Sequence, residues 1–237
     1  MDEKSFHTLA VHAGEDRSEH HGAVSVPIYP ASIYAFSDAD EGVAIHNYEK
    51  PGYFYGRLGN PTQDALERAG AELEGGESSL AFASGMAAIT GSIFTFAKPG
   101  DHIVAPESMY STAVNLFHYL SDFGIETSFI DATDPANYRA GARDSTKVFW
   151  IETPSNPLVQ ITDIPAVVDI AKELGVTTIA DNTFATPYNQ RPIGLGVDVS
   201  IHSATKYLGG HSDLTAGLMV GSKEIVEKAR HGTSKLF

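Results

Sequence analysis

Seven short apolar runs, rich in Val, Ile and Phe, constrain the fold of this chain more than any other feature. They are Leu80–Ala83, His102–Ala105, Thr127–Ile130, Lys147–Ile151, Val176–Ala180, Val197–Ile201 and Gly217–Val220. Runs this short and this apolar read as strands buried on both faces. Between most of them lie helix-length amphipathic segments. In one, Ile164, Val167, Val168, Ala171 and Leu174 share a face after a capping Asp163 and before Gly175. A further helix is predicted over 61–74, where Asn60 caps, Pro61 suits the first position, and Ala65, Leu66, Ala69 and Leu73 line up before Gly75. The alternation predicts an α/β fold with a mostly parallel sheet covered by helices on both faces. Ligands in such sheets gather at the carboxyl ends of strands, so the residues just after each run are where chemistry is expected.

Residues 1 to about 60 lack this periodicity and carry Pro27, Pro30, Pro51, Gly52, Gly56 and Gly59 among many aromatics. We read them as an extended N-terminal arm whose Tyr and Phe side chains lie against another surface, such as a second subunit. A floppy terminus is the plainer alternative. Residues 61–237 form the large domain on this reading. Thirty acidic against sixteen basic side chains give a formal charge of −14, which disfavours nucleic acid and anionic membranes as partners. The chain has no cysteine, so disulfides and thiolate chemistry are excluded and a reducing compartment is compatible. With no apolar leader and no run approaching the roughly 20 residues of a membrane span, a cytoplasmic protein is expected.

The run ending at Ile201 continues as His202-Ser203-Ala204-Thr205-Lys206-Tyr207-Leu208-Gly209-Gly210-His211. Two hydroxyls and an amine within four residues suit a phosphorylated aldehyde. Lys206 can form an imine with the aldehyde while Ser203 and Thr205 donate hydrogen bonds to phosphate. Taken alone, the segment is also what a surface turn would show.

Pyridoxal phosphate makes three other demands, and each has a candidate at another strand end. Its pyridine nitrogen needs a buried carboxylate to stay protonated, and Asp181 ends the Val176–Ala180 run. Its phosphate needs backbone N–H donors at a helix start, which Ala83-Ser84-Gly85-Met86-Ala87-Ala88 offers, with Gly85 permitting close approach. Its ring face needs an aromatic lid, and Tyr110 follows His102–Ala105 through Pro106-Glu107-Ser108-Met109. Each candidate alone has an ordinary structural explanation, as a capping Asp, a strand-to-helix turn or a core Tyr. The set, at successive strand ends, favours the cofactor.

The same residues resemble the trans-sulfuration (Cys/Met metabolism) enzymes of pyridoxal-phosphate fold type I. That family includes cystathionine γ-synthase, cystathionine γ-lyase, methionine γ-lyase and O-acetylhomoserine sulfhydrylase. The resemblance rests on Tyr55-Gly56-Arg57 with Asn60-Pro61-Thr62, Ser84-Gly85-Met86-Ala87-Ala88, Glu152-Thr153-Pro154-Ser155-Asn156-Pro157, Asp181-Asn182-Thr183 and Ser203-Ala204-Thr205-Lys206-Tyr207. It covers essentially the whole chain. It implies that the domain from residue 61 is a fold type I large domain and that the reaction is a γ- or β-elimination or replacement on a sulfur-containing amino acid or acylated homoserine. Lys206 would hold the cofactor and move protons, Asp181 would pair with the pyridinium, and Tyr110 would stack on the ring and assist proton transfer. Gly85, Met86, Ser203 and Thr205 would bind phosphate, Asn156 would lie near the ring hydroxyl, and Glu152 would support the site. Tyr55 and Arg57 would reach the phosphate of a neighbouring subunit, in a homodimer or homotetramer.

Two departures stand out. Relatives commonly carry Gly-Gly-Thr or Gly-Cys-Thr after the tyrosine, where this chain has Ser111-Thr112-Ala113. Relatives also continue into a small C-terminal domain that supplies an arginine for the substrate carboxylate, whereas this sequence ends at Ser234-Lys235-Leu236-Phe237. A catalytically inactive fragment that keeps cofactor binding or subunit assembly is therefore the alternative reading. Ser203-Ala204-Thr205-Lys206 also fits the Ser-x-x-Lys pattern of penicillin-recognising hydrolases, without their Ser-Asp-Asn and Lys-Thr-Gly elements. Gly194-Leu195-Gly196 precedes a strand and does not open a helix, which argues against dinucleotide binding. His20, His21, His118, His202 and His211 lack metal-ligand spacing and are expected to be solvated or packed, with no metal site.

Overall fold

The computed structural model describes residues 5–232. The Ser234-Lys235-Leu236-Phe237 end, where the resemblance implies further chain, lies outside the described residues. Two short helices, α1 (Phe6–His12) and α2 (Ala39–His46), precede the domain body, which opens with α3 (Pro61–Glu74). From there β1 (Ser78–Phe82), α4 (Gly85–Phe96), β2 (His102–Pro106), α5 (Ser111–Leu120) and β3 (Glu126–Ile130) alternate. They are followed by α6 (Ala136–Gly141), β4 (Thr146–Glu152), α7 (Ile164–Leu174), β5 (Thr177–Asp181), α8 (Thr186–Asn189), β6 (Val199–Ser203), β7 (Gly217–Gly221) and α9 (Lys223–Gly232).

All seven predicted runs are strands, within two residues at each end, and they form one sheet in the order β1-β7-β6-β5-β4-β2-β3. The block from β6 through β5, β4 and β2 to β3 is parallel. β7 runs antiparallel to both of its neighbours. The reason lies in the connection. A parallel return needs a crossover of a dozen or more residues, usually helical, and the link from Ser203 to Gly217 contains no helix. That irregular link carries Thr205 and Lys206.

The helix ends form where the side chains dictate. Asn60 accepts the Gln63 N–H at 2.9 Å and Gly75 closes α3 at φ 74°, while Asp163 accepts the Ala166 N–H and Gly175 closes α7 at φ 66°. Alternation along the strands splits the core into two layers. Val148, Trp150, Ile179, Val199 and Ile201 join α4 and α5 in one layer, with Phe117 packed edge-on against Trp150. Phe149, Ile151 and Ala180 join Tyr138 and α7 in the other. Glu152, Asp181 and Ser203 continue the first layer to the carboxyl ends of three adjacent strands.

The segment before Pro61 is mostly irregular and holds two capped helices, with Ser5 and Asp38 as the caps. Its aromatics pair within the chain: Phe36 stacks on Phe54, Tyr34 meets Tyr53, and the Tyr53 hydroxyl donates to Asp64 of α3. Val24, Ile28 and Ile33 are exposed, and so are Tyr48 and Tyr55.

Candidate active site

A cavity of ≈ 240 Å3 opens at the carboxyl ends of β4, β5 and β6. Nine residues singled out in the sequence line it: Gly85, Met86, Tyr110, Glu152, Asn156, Asp181, Ser203, Thr205 and Lys206. Their convergence follows from strand register. Glu152 sits opposite Asp181, and Asp181 opposite Ile201, so Ser203 emerges one step further on the same face.

Lys206 stands in the turn after β6, where its N–H donates to the Ser203 carbonyl and its carbonyl accepts the Gly210 N–H. The backbone is fixed by these bonds. The side chain is exposed and its amine has no hydrogen bond or ion pair among the described residues. Thr205 is held from both sides of its peptide: its N–H donates to the Ala216 carbonyl, and its hydroxyl accepts the Ala216 N–H at 3.0 Å.

The start of α4 meets the end of β6 at a distance only glycine allows. A Cβ on Gly85 would lie 2.6 Å from Ser203 Cβ and 2.8 Å from its Oγ. Behind it, a Cβ on Gly217 would lie 2.2 Å from the Ser84 carbonyl oxygen. Ser84 caps α4 by accepting the Ala87 N–H. The N–H groups of Gly85 and Met86, first in the helix, have no partner within it and make up its electropositive end. The result is an anion cradle beside the Ser203 hydroxyl.

Glu152, 5% exposed, holds two backbone segments. Its carboxylate accepts the Tyr110 N–H at 3.0 Å and the Asn156 N–H at 2.8 Å. Burial pushes its carboxyl up to about 8, and the neighbouring Asp181 charge acts in the same direction. Burial also raises Asp181, against the pull of its hydrogen bonds from Thr183 and of His202. Two carboxyls that resist ionisation on adjacent strands suit a cationic guest, and no Lys or Arg is paired with either among the described residues.

Tyr55 and Arg57 are not brought to this cavity within one chain. The Arg57 guanidinium lies 5.7 Å from the Tyr55 ring centroid, and Arg57 lines a separate cavity with Leu58, Gln63 and Arg230. Sequence reasoning missed Thr183, Phe184, Pro154, Ile89 and Thr215 in the lining. For Thr183 a signal existed. It lies two residues after Asp181, donates its N–H to that carboxylate, and its hydroxyl accepts the Ser203 N–H at 2.8 Å. Of the histidines, His202 is packed, 1% exposed against Glu74.

These residues fit pyridoxal phosphate on their own chemistry. The glycine-lined helix start and Ser203 suit the phosphate, Asp181 suits a protonated ring nitrogen, and Lys206 presents an unengaged amine to an aldehyde.

Known proteins agree with this reading. A family model described as Cys/Met metabolism PLP-dependent enzyme matches residues 7–235. The chain is 42% identical over 226 residues to an L-methionine gamma-lyase of Pseudomonas putida, covering 95% of this chain and 57% of that protein. It is 46% identical over 223 residues to a cystathionine gamma-lyase of Bacillus subtilis, covering 93% of this chain and 56% of that one. Among solved structures, metB from Corynebacterium glutamicum superposes with a TM-score of 0.92 at 37% identity, over 98% of this chain and 59% of that chain. Cystathionine gamma-lyase from Lactobacillus plantarum, complexed with L-serine, gives 0.90 at 39% identity, over 98% and 59%. The chain thus spans less than two thirds of the length of these relatives. Lysine, carboxylates and phosphate cradle in one cavity, together with these matches, place the chain in the Cys/Met metabolism family of PLP-dependent enzymes.

Proposed function

We propose that this chain serves γ- or β-elimination or replacement on a sulfur-containing amino acid or an acylated homoserine. The observation that carries this reading is the single cavity that collects Lys206, Asp181, Tyr110 and the Gly85–Ser203 contact. When bound, pyridoxal phosphate supplies an electron sink for charge developing at the substrate α-carbon. The side chains do the rest. Asp181 holds the proton at the ring nitrogen, and Gly85, Met86, Ser203 and Thr205 hold the phosphate. Tyr110 covers the ring face and delivers a proton to the departing group. Glu152 fixes Tyr110 and Asn156 by their backbones, and the Asn156 side chain lies beside the ring hydroxyl. Lys206 takes the α-proton, and in γ-chemistry a β-proton as well.

Tyr55 and Arg57 belong to the same reading as groups offered to the phosphate of a neighbouring subunit in a homodimer or homotetramer. Val24, Ile28 and Ile33 before them are exposed and would be available to such a contact. The division into an arm over 1–60 and a cofactor domain over 61–237 goes with it, as does a cytoplasmic location. The experiment is a panel of cystathionine, methionine and acylated homoserines, assayed for keto-acid release and for thioether formation. Turnover of any member supports the reading. Cofactor binding without turnover by any member favours a fragment limited to binding or assembly.

A further inference from the structure

Directly behind the cofactor cavity, on the opposite face of the sheet, lies a buried polar cluster that the proposed chemistry does not use. Glu74 is the last residue of α3 and is 1% exposed. A carboxylate there is opposed twice, by burial and by the negative end of the helix dipole. One of its oxygens, Oε1, nevertheless accepts three hydrogen bonds. They come from Asn182 Nδ2 at 2.8 Å, from Ser200 Oγ at 3.0 Å, and from His202 Nε2.

Two of the donors, Asn182 and His202, are immediate neighbours of cavity residues. Asn182 follows Asp181 at the end of β5, and His202 precedes Ser203 at the end of β6. Side chains alternate across a strand, so fixing Asn182 and His202 from behind fixes where Asp181 and Ser203 emerge in front. Asn182 is further locked by giving a second hydrogen to the Gln190 carbonyl at 2.8 Å and accepting from Gln190 Nε2 at 3.0 Å. Glu74 Oε2 and His202 Nδ1 are buried with no partner. Both residues border a ≈ 190 Å3 cavity whose remaining lining, from α3, α8, β7 and the turn after β6, is apolar. Among the described residues the charged groups facing His202 are Glu74 from α3 and Asp181 from β5. A positive charge on His202 favours the Asp181 anion.

We propose that Glu74 and His202 are positioning residues for the cofactor site, holding Asp181 against the ring nitrogen and Ser203 against the phosphate through Asn182 and the β6 backbone. This deepens the reading above and rests on it. The bound chromophore should report both effects.

The test loads the chain and its variants with pyridoxal phosphate and measures the dissociation constant and the pH midpoint between the chromophore's two absorption bands. His202→Leu and Glu74→Leu are expected to weaken binding by about tenfold and to move the midpoint upward, since each strips a partner from a buried network. His202→Gln and Glu74→Gln keep polar partners and should return affinity to within about threefold of the parent. They also carry the test if the leucine variants do not fold. Asp181→Asn serves as reference. Folded variants with parental affinity and midpoint, or a lowered melting temperature alone, overturn the proposal. If the parent binds no cofactor, or Asp181→Asn binds as the parent does, the underlying reading fails instead.

Discussion

Gly85 shows how much one residue can decide. Its missing Cβ is what lets the start of α4 touch Ser203. In Gly85→Ala something must shift, at a cost of about 1–3 kcal/mol as for other overpacked sites. The displacement falls where phosphate would sit. Cofactor affinity is therefore expected to drop more than stability does, which paired titration and melting curves on the variant would check. Glu152 makes a prediction of a different kind. Its folded pKa of about 8 exceeds the ordinary carboxylate value, so between those two values the folded chain holds a proton that the unfolded chain has lost. Without cofactor, the stability that this group contributes is fully present below the ordinary carboxylate range and is lost as pH rises toward about 8. Asp181 contributes in the same direction. Glu152→Gln should flatten that decline, and added pyridoxal phosphate should reduce it by supplying a cation. Melting temperatures at acidic and mildly alkaline pH measure both. The lysine, Asp181 and the glycine turn were legible because each demand of the cofactor matches one residue type at one strand end. Glu74 was not legible. A glutamate before a helix-ending glycine looks solvated in sequence, and only the packing of α3 against the sheet at β1 and β7 buries it.

At the scale of elements, the strands were readable because both faces of the sheet are covered and the runs are continuously apolar. The caps at Asn60 and Asp163 were readable because a short side chain and a following helical pattern suffice. Asn60→Ala should cost about 1 kcal/mol, as loss of a helix cap does, and a denaturant titration with an unchanged slope would show it. The antiparallel course of β7 was not visible, since strand direction depends on the connection and not on the strand's own residues. The two short helices before Pro61 were missed for a related reason. They are only 7 and 8 residues long, and neither buries a hydrophobic side chain, so no sustained stripe marks them.

At the scale of the whole chain there are a formal charge of −14, a cavity at the strand ends and exposed aliphatic side chains at Val24, Ile28 and Ile33. If Tyr55 and Arg57 serve a neighbouring subunit, Arg57→Ala should weaken cofactor binding in the assembled protein, while Ile28→Asp should reduce assembly and affinity together. Sedimentation with a parallel cofactor titration distinguishes these. Unchanged assembly in Ile28→Asp would remove Ile28 from the interface.

We propose that Lys206 carries the cofactor through an imine. The direct measurement is mass spectrometry of a protease digest after pyridoxal phosphate loading and borohydride reduction. We expect the reduced pyridoxyl adduct on the peptide containing Lys206, and its loss in Lys206→Ala. An adduct at another lysine, or an unchanged adduct in that variant, would contradict the account.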